Sequence, residues 1–326
     1  MTIDVLCLRP EADFVRAGAL PPAALRVAYR STEEHDVLSL MRQAQALIIP
    51  AVGPKLPLAL FEGASIRFVQ VTGAGIDRLD VSALAQQGIT VANVPGGSNS
   101  AVADYVVATA LVLLRRLLWA DAEIRAGNYA EFRARMIADN LSGLDGLLAG
   151  IVGLGTIGLA VAQAFHKMGC QICYYDPAPR DSDAIRAMAA VSMPLDELLK
   201  KADIVSLHLP LLPSTRDLIG ATQLAQMKPN AVLIQASRGG IVNETALANS
   251  LKVGHLGGAA VDVYSVEPPA ADHPLFALEG DAARKLLFTP HIAGVTRQSA
   301  QFLMRAAWQN VERVLLARQA PLHRVG

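Results

Sequence analysis

Gly150-Ile151-Val152-Gly153-Leu154-Gly155-Thr156-Ile157-Gly158 lies in the middle of the chain and decides its reading. An apolar, strand-like run from Leu147 to Val152 leads in, and a helix-like run from Ile157 to Met168 leads out. A second strand-like run, Gln171 to Tyr175, ends at Asp176. Glycines spaced G-x-G-x-x-G are weak evidence alone. Between a strand and a helix, with an acidic residue closing the next strand, they read as a dinucleotide-binding fingerprint. Gly153 permits the tight turn, Gly155 lets the backbone approach a pyrophosphate, and Gly158 lets helix and strand pack closely. The helix N-terminus offers free N–H groups and the positive end of its dipole to phosphates. Asp176, eighteen residues beyond Gly158, is placed to accept hydrogen bonds from an adenine ribose.

Outward from this motif, the chain alternates short strands with helices. Before it, strands are predicted at Asp4–Leu8, Arg26–Tyr29, Ala46–Ile49, Arg67–Gln70 and Thr90–Ala92, with helices such as Asp36–Ala44 and Val81–Gln87 between them. Asn93-Val94-Pro95-Gly96-Gly97 breaks the pattern and reads as a hinge. One long apolar helix is predicted from about Ser100 to Ala126, followed by a polar stretch, Gly127 to Gly146, that contains Arg133 and Arg135. After the fingerprint come strands at Ile204–His208, Val232–Gln235 and Ala259–Asp262, helices at Leu195–Lys201 and Glu244–Val253, and a last amphipathic helix from about Thr296 to Arg318. Two α/β units of unequal size, the second opened by the fingerprint, predict a cleft enzyme.

Composition narrows the function classes. The 326 residues suffice for two domains, and a chain 52% hydrophobic and 18% charged suits a well-buried α/β globule. Zero formal net charge and the lack of a basic stripe argue against a nucleic-acid partner. Met1-Thr2-Ile3-Asp4-Val5 does not read as a signal peptide, and the longest apolar run, Tyr105 to Leu114, is too short to span a bilayer. A soluble cytoplasmic protein without a membrane partner is expected. Cys170 and Cys173 stand in a C-x-x-C spacing, but at the start of a strand, where residues three apart face opposite ways. With Cys7 they read as buried structural thiols in a reducing compartment, and no metal site is expected.

Ligands of parallel sheets sit beyond the carboxyl ends of the strands, so chemistry is sought there. Four strand ends carry polar residues: Ser206 to Pro210, Gln235 to Gly240, Val261 to Pro268 and Phe288 to Gly294. Hydride transfer to a 2-oxo acid needs a group that grips the carboxylate and polarises the carbonyl. The planar fork of Arg238 suits it. It needs a proton donor working near neutral pH, for which His291 is suited. A carboxylate beside that histidine, Glu267, favours the imidazolium. Taken singly, each has an ordinary structural explanation: a surface histidine, a solvated loop glutamate, an arginine at a helix end. Together, downstream of the fingerprint, they read as a catalytic set. His208 stands either at the nicotinamide end or as the cap of its own turn, and is left outside that set.

Over essentially its whole length the chain resembles the D-isomer-specific 2-hydroxyacid dehydrogenase family. The resemblance rests on Val71-Thr-Gly-Ala-Gly-Ile-Asp77, Gly153-Leu-Gly-Thr-Ile-Gly158, His208-Leu-Pro210, Ser237-Arg-Gly-Gly240, Asp262 through Glu267-Pro268, and Pro290-His-Ile-Ala-Gly294. It implies an α/β protein of two domains, a Rossmann-type cofactor domain (99–292) inserted in a flavodoxin-like substrate domain (1–98 plus 293–326). It also implies that the backbone N–H groups of Ala74 and Gly75 hold the substrate carboxylate, that Arg238 binds substrate, and that His291 is the acid/base paired with Glu267. Thr156 and Ile157 would lie at the pyrophosphate, Thr215, Ala236 and Gly294 along the cofactor groove, and Asp262 at the nicotinamide amide. A homodimer would form through the cofactor domains, carried by residues 100–126 and the following arm.

Departures from the family pattern are Thr156 for a common Arg, Ser237 for Ala, Asn243 for Asp, Tyr129 for Trp, and no Lys before the first cofactor strand. NAD is the expected cofactor, because Asp176 repels a 2′-phosphate. NADP is the alternative, because Arg180 stands close by in sequence. The implied reaction is reversible reduction of a small 2-oxo acid, of the glyoxylate or hydroxypyruvate kind, to the D-2-hydroxy acid. The competing readings are an NAD-sensing, co-repressor-like binding module and a dehydrogenase of phosphoglycerate, formate or phosphite. The chain shows no tail or added domain for recruiting partners, which favours the enzyme.

Overall fold

The computed structural model describes residues 3–326, so Met1 and Thr2 of the N-terminal stretch lie outside the described residues. The chain divides into two compact units, Met1–Ser98 with Val295–Gly326, and Asn99–Gly294.

The first unit is built on β1 (Val5–Cys7), β2 (Val27–Tyr29), β3 (Ala46–Ile49), β4 (Phe68–Val71) and β5 (Thr90–Ala92), all parallel. Arg324–Val325 adds an antiparallel edge beside β5. Side chains alternate between two cores. Leu6, Leu47, Ile49, Val69 and Val91 enter one, while Val5, Cys7, Ala46, Ile48 and Phe68 enter the other. That alternation is the period-two geometry of a strand buried on both faces. The helix Arg297–Leu315 covers the second face with Met304, Trp308 and Val311. On it, buried Asn310 donates to Gln70 Oε1 at 2.8 Å and to the Leu322 carbonyl at 3.0 Å, tying the C-terminal tail to the sheet.

The second unit holds β6 (Leu148–Val152), β7 (Gln171–Tyr175), β8 (Val191–Ser192), β9 (Ile204–Leu207), β10 (Val232–Gln235), β11 (Gly258–Val261) and β12 (Leu286–Phe288). Their spatial order is β12-β11-β10-β9-β6-β7-β8. The chain runs outward from β6 to β8, returns to β9, and runs outward the other way. The crevice at the reversal, beyond the carboxyl ends of β6 and β9, is where such sheets bind ligands. One face packs Val152, Cys173, Val205, Leu233 and Val261; the other packs Ile151, Ile172, Ile204, Ile234 and Ala260 against the helices Asn99–Leu114 and Thr156–Lys167.

One expectation is corrected. The predicted helix from about Ser100 to Ala126 is two, Asn99–Leu114 and Leu117–Arg125. Arg116 between them takes a left-handed φ of 51°, which stops the hydrogen-bond ladder. Its guanidinium is bonded to Asp139 and lies 5.4 Å from the Trp119 ring centroid, contacts that fix the break. The polar stretch that follows carries a helix the sequence reading did not assign, Tyr129–Ala138, whose Phe132 packs on Trp119 with ring centroids 5.5 Å apart. Among the described residues, no helix is long and apolar enough to cross a membrane.

Cys170 and Cys173 do enter opposite faces of their sheet, and all three cysteines are free and buried. Burial pushes the thiols of Cys7 and Cys173 up to about 12 and that of Cys170 to about 11. The thiolate is the reactive form. The native protein should therefore leave all three thiols unmodified by an aromatic disulfide reagent at pH 8, and the denatured chain should react at all three. A thiol titrating rapidly in the native state would contradict this burial.

Candidate active site and dinucleotide seat

The turn after β6 shows why the fingerprint glycines stand where they do. Gly153 has a φ of +92°, and a Cβ there would lie 2.6 Å from the His208 carbonyl oxygen. A Cβ on Gly158 would lie 2.0 Å from the Gly153 oxygen, so the helix can sit on the turn only without a side chain at that point. A Cβ on Gly155 would meet nothing within 4 Å. Gly155 therefore faces open space at the N-terminus of the helix Thr156–Lys167, where Thr156 and Ile157 carry first-turn N–H groups. Room at Gly155 and donors beside it fit a pyrophosphate.

Asp176 follows β7, beside this turn. Its Oδ2 accepts from Leu154 N at 2.7 Å and its Oδ1 from Ala178 N at 2.9 Å. Arg180 Nε lies 3.0 Å from Oδ2, and only 4% of the Asp176 side chain is exposed. Burial alone would raise this carboxyl. The two N–H bonds and Arg180 outweigh it and hold the group below its usual range. The oxygens that the sequence reading offers to a ribose thus also accept from Leu154 N and Ala178 N.

At the carboxyl end of β9, Ser206 Oγ and His208 Nε2 lie 2.8 Å apart, and desolvation pushes the His208 imidazole down to about 3. His208 is thus neutral at ordinary pH. In the next loop Thr215 builds its own turn, its Oγ accepting from Leu212 N at 2.8 Å and donating to the Pro210 carbonyl at 2.7 Å.

Arg238 follows β10, after half-buried Ala236. Buried Gln235 organises this loop. Its Nε2 donates to the Arg238 carbonyl at 2.8 Å, and its Oε1 accepts from Ser237 Oγ at 2.7 Å. The departure to Ser237 is thereby explained, since its hydroxyl has a buried partner. Arg238 Nη1 donates to the Ser237 carbonyl at 2.8 Å. A Cβ on Gly239 would lie 1.7 Å from the Tyr264 oxygen, so the arginine loop and the Tyr264 loop approach closely only because residue 239 is glycine.

The turn after β12 carries His291 with a left-handed φ of 55°. Strain of that kind in a residue other than glycine or asparagine persists only where surrounding bonds impose it. The bonds come from Asp262, whose side chain lies inside the protein and which is 1% exposed. Its backbone oxygen accepts from His291 N at 2.8 Å, Oδ1 from Thr289 Oγ1 at 2.6 Å and Ile292 N at 2.8 Å, and Oδ2 from Ala293 N at 2.9 Å. Gly294 closes this turn and the unit. Asp262, which the family resemblance places at the nicotinamide amide, bonds the histidine turn with its carboxylate. Sequence reasoning missed the partners that complete this frame. Tyr105 and Thr289 hydroxyls are 2.7 Å apart, and Tyr264 donates to the Thr289 carbonyl at 3.0 Å. No local pattern links residues so far apart in the chain.

His291 Nδ1 lies 2.9 Å from Glu267 Oε2 and 3.1 Å from Oε1. Glu267 Oε1 also accepts from Tyr264 N at 3.1 Å. Burial would raise the Glu267 carboxyl. The His291 bond, the Tyr264 N–H and the charges of His291 and Arg238 outweigh that rise, so it lies below its usual range. Glu267 is therefore ionised at neutral pH, and acid breaks the pair only below that range. The second unit thus brings Arg238, Glu267 and His291 into one electrostatic neighbourhood. Ala74 and Gly75 lie in the first unit, in the loop after β4, where Asn93 Nδ2 donates to the Ala74 carbonyl at 2.7 Å.

The family model for the NAD binding domain of D-isomer specific 2-hydroxyacid dehydrogenases matches residues 107–293. The chain is 38% identical over 250 residues to an (S)-sulfolactate dehydrogenase of Chromohalobacter salexigens, covering 77% of this chain and 78% of that one. It is 33% identical over 278 residues to a glyoxylate reductase of Korarchaeum cryptofilum, covering 84% and 81%. D-3-phosphoglycerate dehydrogenases of Archaeoglobus fulgidus and Methanocaldococcus jannaschii match at 33% and 32% identity, but this chain spans only 42% and 53% of their length. The holo form of Rhodotorula graminis D-mandelate dehydrogenase superposes with a TM-score of 0.85 at 25% identity, over 100% of this chain and 98% of that one.

The two glycine environments make opposite predictions. Gly239→Ala forces a side chain into the Tyr264 carbonyl and should cost about 1–3 kcal/mol or more in urea unfolding. Gly155→Ala points into open space and should change stability by less than about 0.5 kcal/mol. Equal stability of the two variants would refute this account of the loops.

Proposed function

Because this chain belongs to the D-isomer specific 2-hydroxyacid dehydrogenase family, an NAD-dependent oxidoreductase family, we propose that it reversibly reduces a small 2-oxo acid, of the glyoxylate or hydroxypyruvate kind, to the D-2-hydroxy acid. The observation that carries the reading is the bonding of His291 Nδ1 to an ionised Glu267 in the neighbourhood of Arg238. Nicotinamide cofactor, when bound, supplies or takes the hydride. The fingerprint turn fits its pyrophosphate, with Thr156 and Ile157 offering first-turn N–H groups; Thr215, Ala236, Asp262 and Gly294 complete the cofactor side of the proposal.

The roles of the residues follow from their bonds. Nδ1 of His291 is taken by Glu267, which leaves Nε2 as the atom that gives its proton to the substrate oxygen and recovers it in the reverse direction. Glu267 fixes the ring orientation by its contact with Nδ1. Arg238 binds the carboxylate and polarises the carbonyl through its fork of N–H donors. Ala74 and Gly75 keep, as part of the proposal, the carboxylate-binding backbone role that the family resemblance gives them.

A second reading is favoured by one observation. The 38% identical relative is named for sulfolactate, whose C3 bears a second anion, as phosphoglycerate's does. A panel of glyoxylate, hydroxypyruvate, pyruvate, phenylpyruvate, 3-sulfopyruvate and 3-phosphohydroxypyruvate separates the two. Faster turnover of the last two selects the doubly anionic substrate, and no turnover on any would overturn the dehydrogenase proposal.

The proposal extends to a cytoplasmic homodimer. Three buried, unpaired thiols suit a reducing compartment. Leu117, Leu118, Ile124, Tyr129 and Ile137 expose apolar surface on the helices after Arg116, as a subunit contact requires.

Arg238→Ala should lower kcat/KM by about 10³-fold or more, with NADH affinity within about threefold of wild type, and Arg238→Lys should not restore the bidentate grip. His291→Ala should cost about 10²–10⁴-fold in kcat. Wild-type rates in either variant would remove that residue from the assignment.

A further inference from the structure

A second pairing of glutamate with histidine stands behind the loop that carries Glu267. Glu244 opens the helix Glu244–Lys252, and its Oε2 lies 3.1 Å from His273 Nε2, with the two side chains 16% and 8% exposed. The helix N-terminus does not occupy this carboxylate, because Asn243 Oδ1 accepts from Ala246 N at 2.9 Å as the N-cap. His273 Nδ1 accepts from Leu275 N at 3.4 Å, which in the neutral ring leaves the proton on Nε2, beside Glu244. That contact is bent away from a straight hydrogen bond, and among the described residues Nε2 has no other polar partner. The ring is held by Tyr264, edge-on at 5.7 Å between centroids, and by Phe276 at 5.1 Å. The other oxygen of Glu244, Oε1, accepts from Ser265 N at 2.7 Å.

These two contacts bracket one loop. Tyr264 and His273 at its ends are buried, while residues 265–272 are exposed apart from half-buried Pro269. A segment that buries so little is held by its polar contacts rather than by packing. Glu267 stands in it, two residues beyond Ser265. Adjacent amides divide between the two glutamates, Tyr264 N donating to Glu267 Oε1 at 3.1 Å and Ser265 N to Glu244. We propose that Glu244 is a positioning residue of the proton-transfer pair: it staples both ends of the 264–273 loop to the helix behind it, and so keeps Glu267 against His291 Nδ1. Glu244 acts through Ser265 and His273, not on substrate. The inference rests on the acid/base role proposed above for His291 and Glu267.

Hydrogen–deuterium exchange of the full chain without ligand reads the loop itself. In Glu244→Ala the amides of residues 264–273 should exchange about tenfold faster or more, with the rest of the chain unchanged. Turnover of whichever 2-oxo acid the wild type reduces reads the consequence. In that variant kcat should fall about tenfold or more, with KM for the acid and the affinity for NADH within about threefold of wild type. The solvent deuterium isotope effect on kcat should rise, because proton delivery from a misplaced His291 ring becomes the slow step. Mere loss of folded protein lowers kcat without moving that isotope effect. Glu244→Gln keeps an acceptor for Ser265 N and should show the same changes to a smaller degree; it carries the comparison if the alanine variant does not fold. Unchanged exchange in the loop, or a kcat and isotope effect at wild-type values, overturns the proposal. A wild type that reduces none of the acids removes the function proposed above and this role with it, whereas an active wild type beside an unaffected variant removes this role alone.

Discussion

The buried carboxylate of Asp262 is the constraint on which the candidate site depends. A buried polar group costs about 1–3 kcal/mol unless its atoms are hydrogen-bonded. Here they are bonded by Thr289, Ile292 and Ala293, three residues of one short turn. Satisfying Asp262 therefore dictates that turn, including the left-handed backbone at His291. Thr289 gives its single proton to Asp262, so Tyr105 must donate to the threonine oxygen. The helix Asn99–Leu114, β11 and the strand end after β12 are thereby locked into one hydrogen-bonded chain.

Glu267 is placed by a second set of contacts converging on the same point. Tyr264 fixes it through its backbone N–H, while the Tyr264 carbonyl lies against Gly239 of the arginine loop. The guanidinium loop and the Glu267 carboxylate are therefore both tied to the Tyr264 backbone, and the imidazole to the carboxylate. Such preorganisation is what hydride and proton transfer need, because reacting groups that must first be ordered lose most of their advantage.

Charge is managed differently along the crevice. At the β6–β9 reversal stands a neutral histidine, His208. At the end of β7 a carboxylate is paired with an arginine, and at the histidine turn an ionised glutamate faces imidazole. These two pairings, Asp176 with Arg180 and Glu267 with His291, both lie within the second unit.

By itself the sequence determined the class of fold, because glycine spacing, apolar strand runs and the acidic strand end are local patterns. It also determined which strand ends carry polar residues, and that Cys170 and Cys173 face opposite cores, since strand geometry alone requires it. Arg238, Glu267 and His291 stood out because each follows a predicted strand. Only the tertiary structure decided the rest. The break at Arg116 depends on Asp139 and Trp119, and the short elements such as Gly280–Arg284 and Val191–Ser192 are too short to form without packing. The task of Asp262, the network through Tyr105 and Thr289, and the covering of Asp176 by Arg180 all concern where a carboxylate finds its donors. A buried polar group must find them in whatever the fold brings near, and that proximity is a property of three dimensions, not of spacing along the chain.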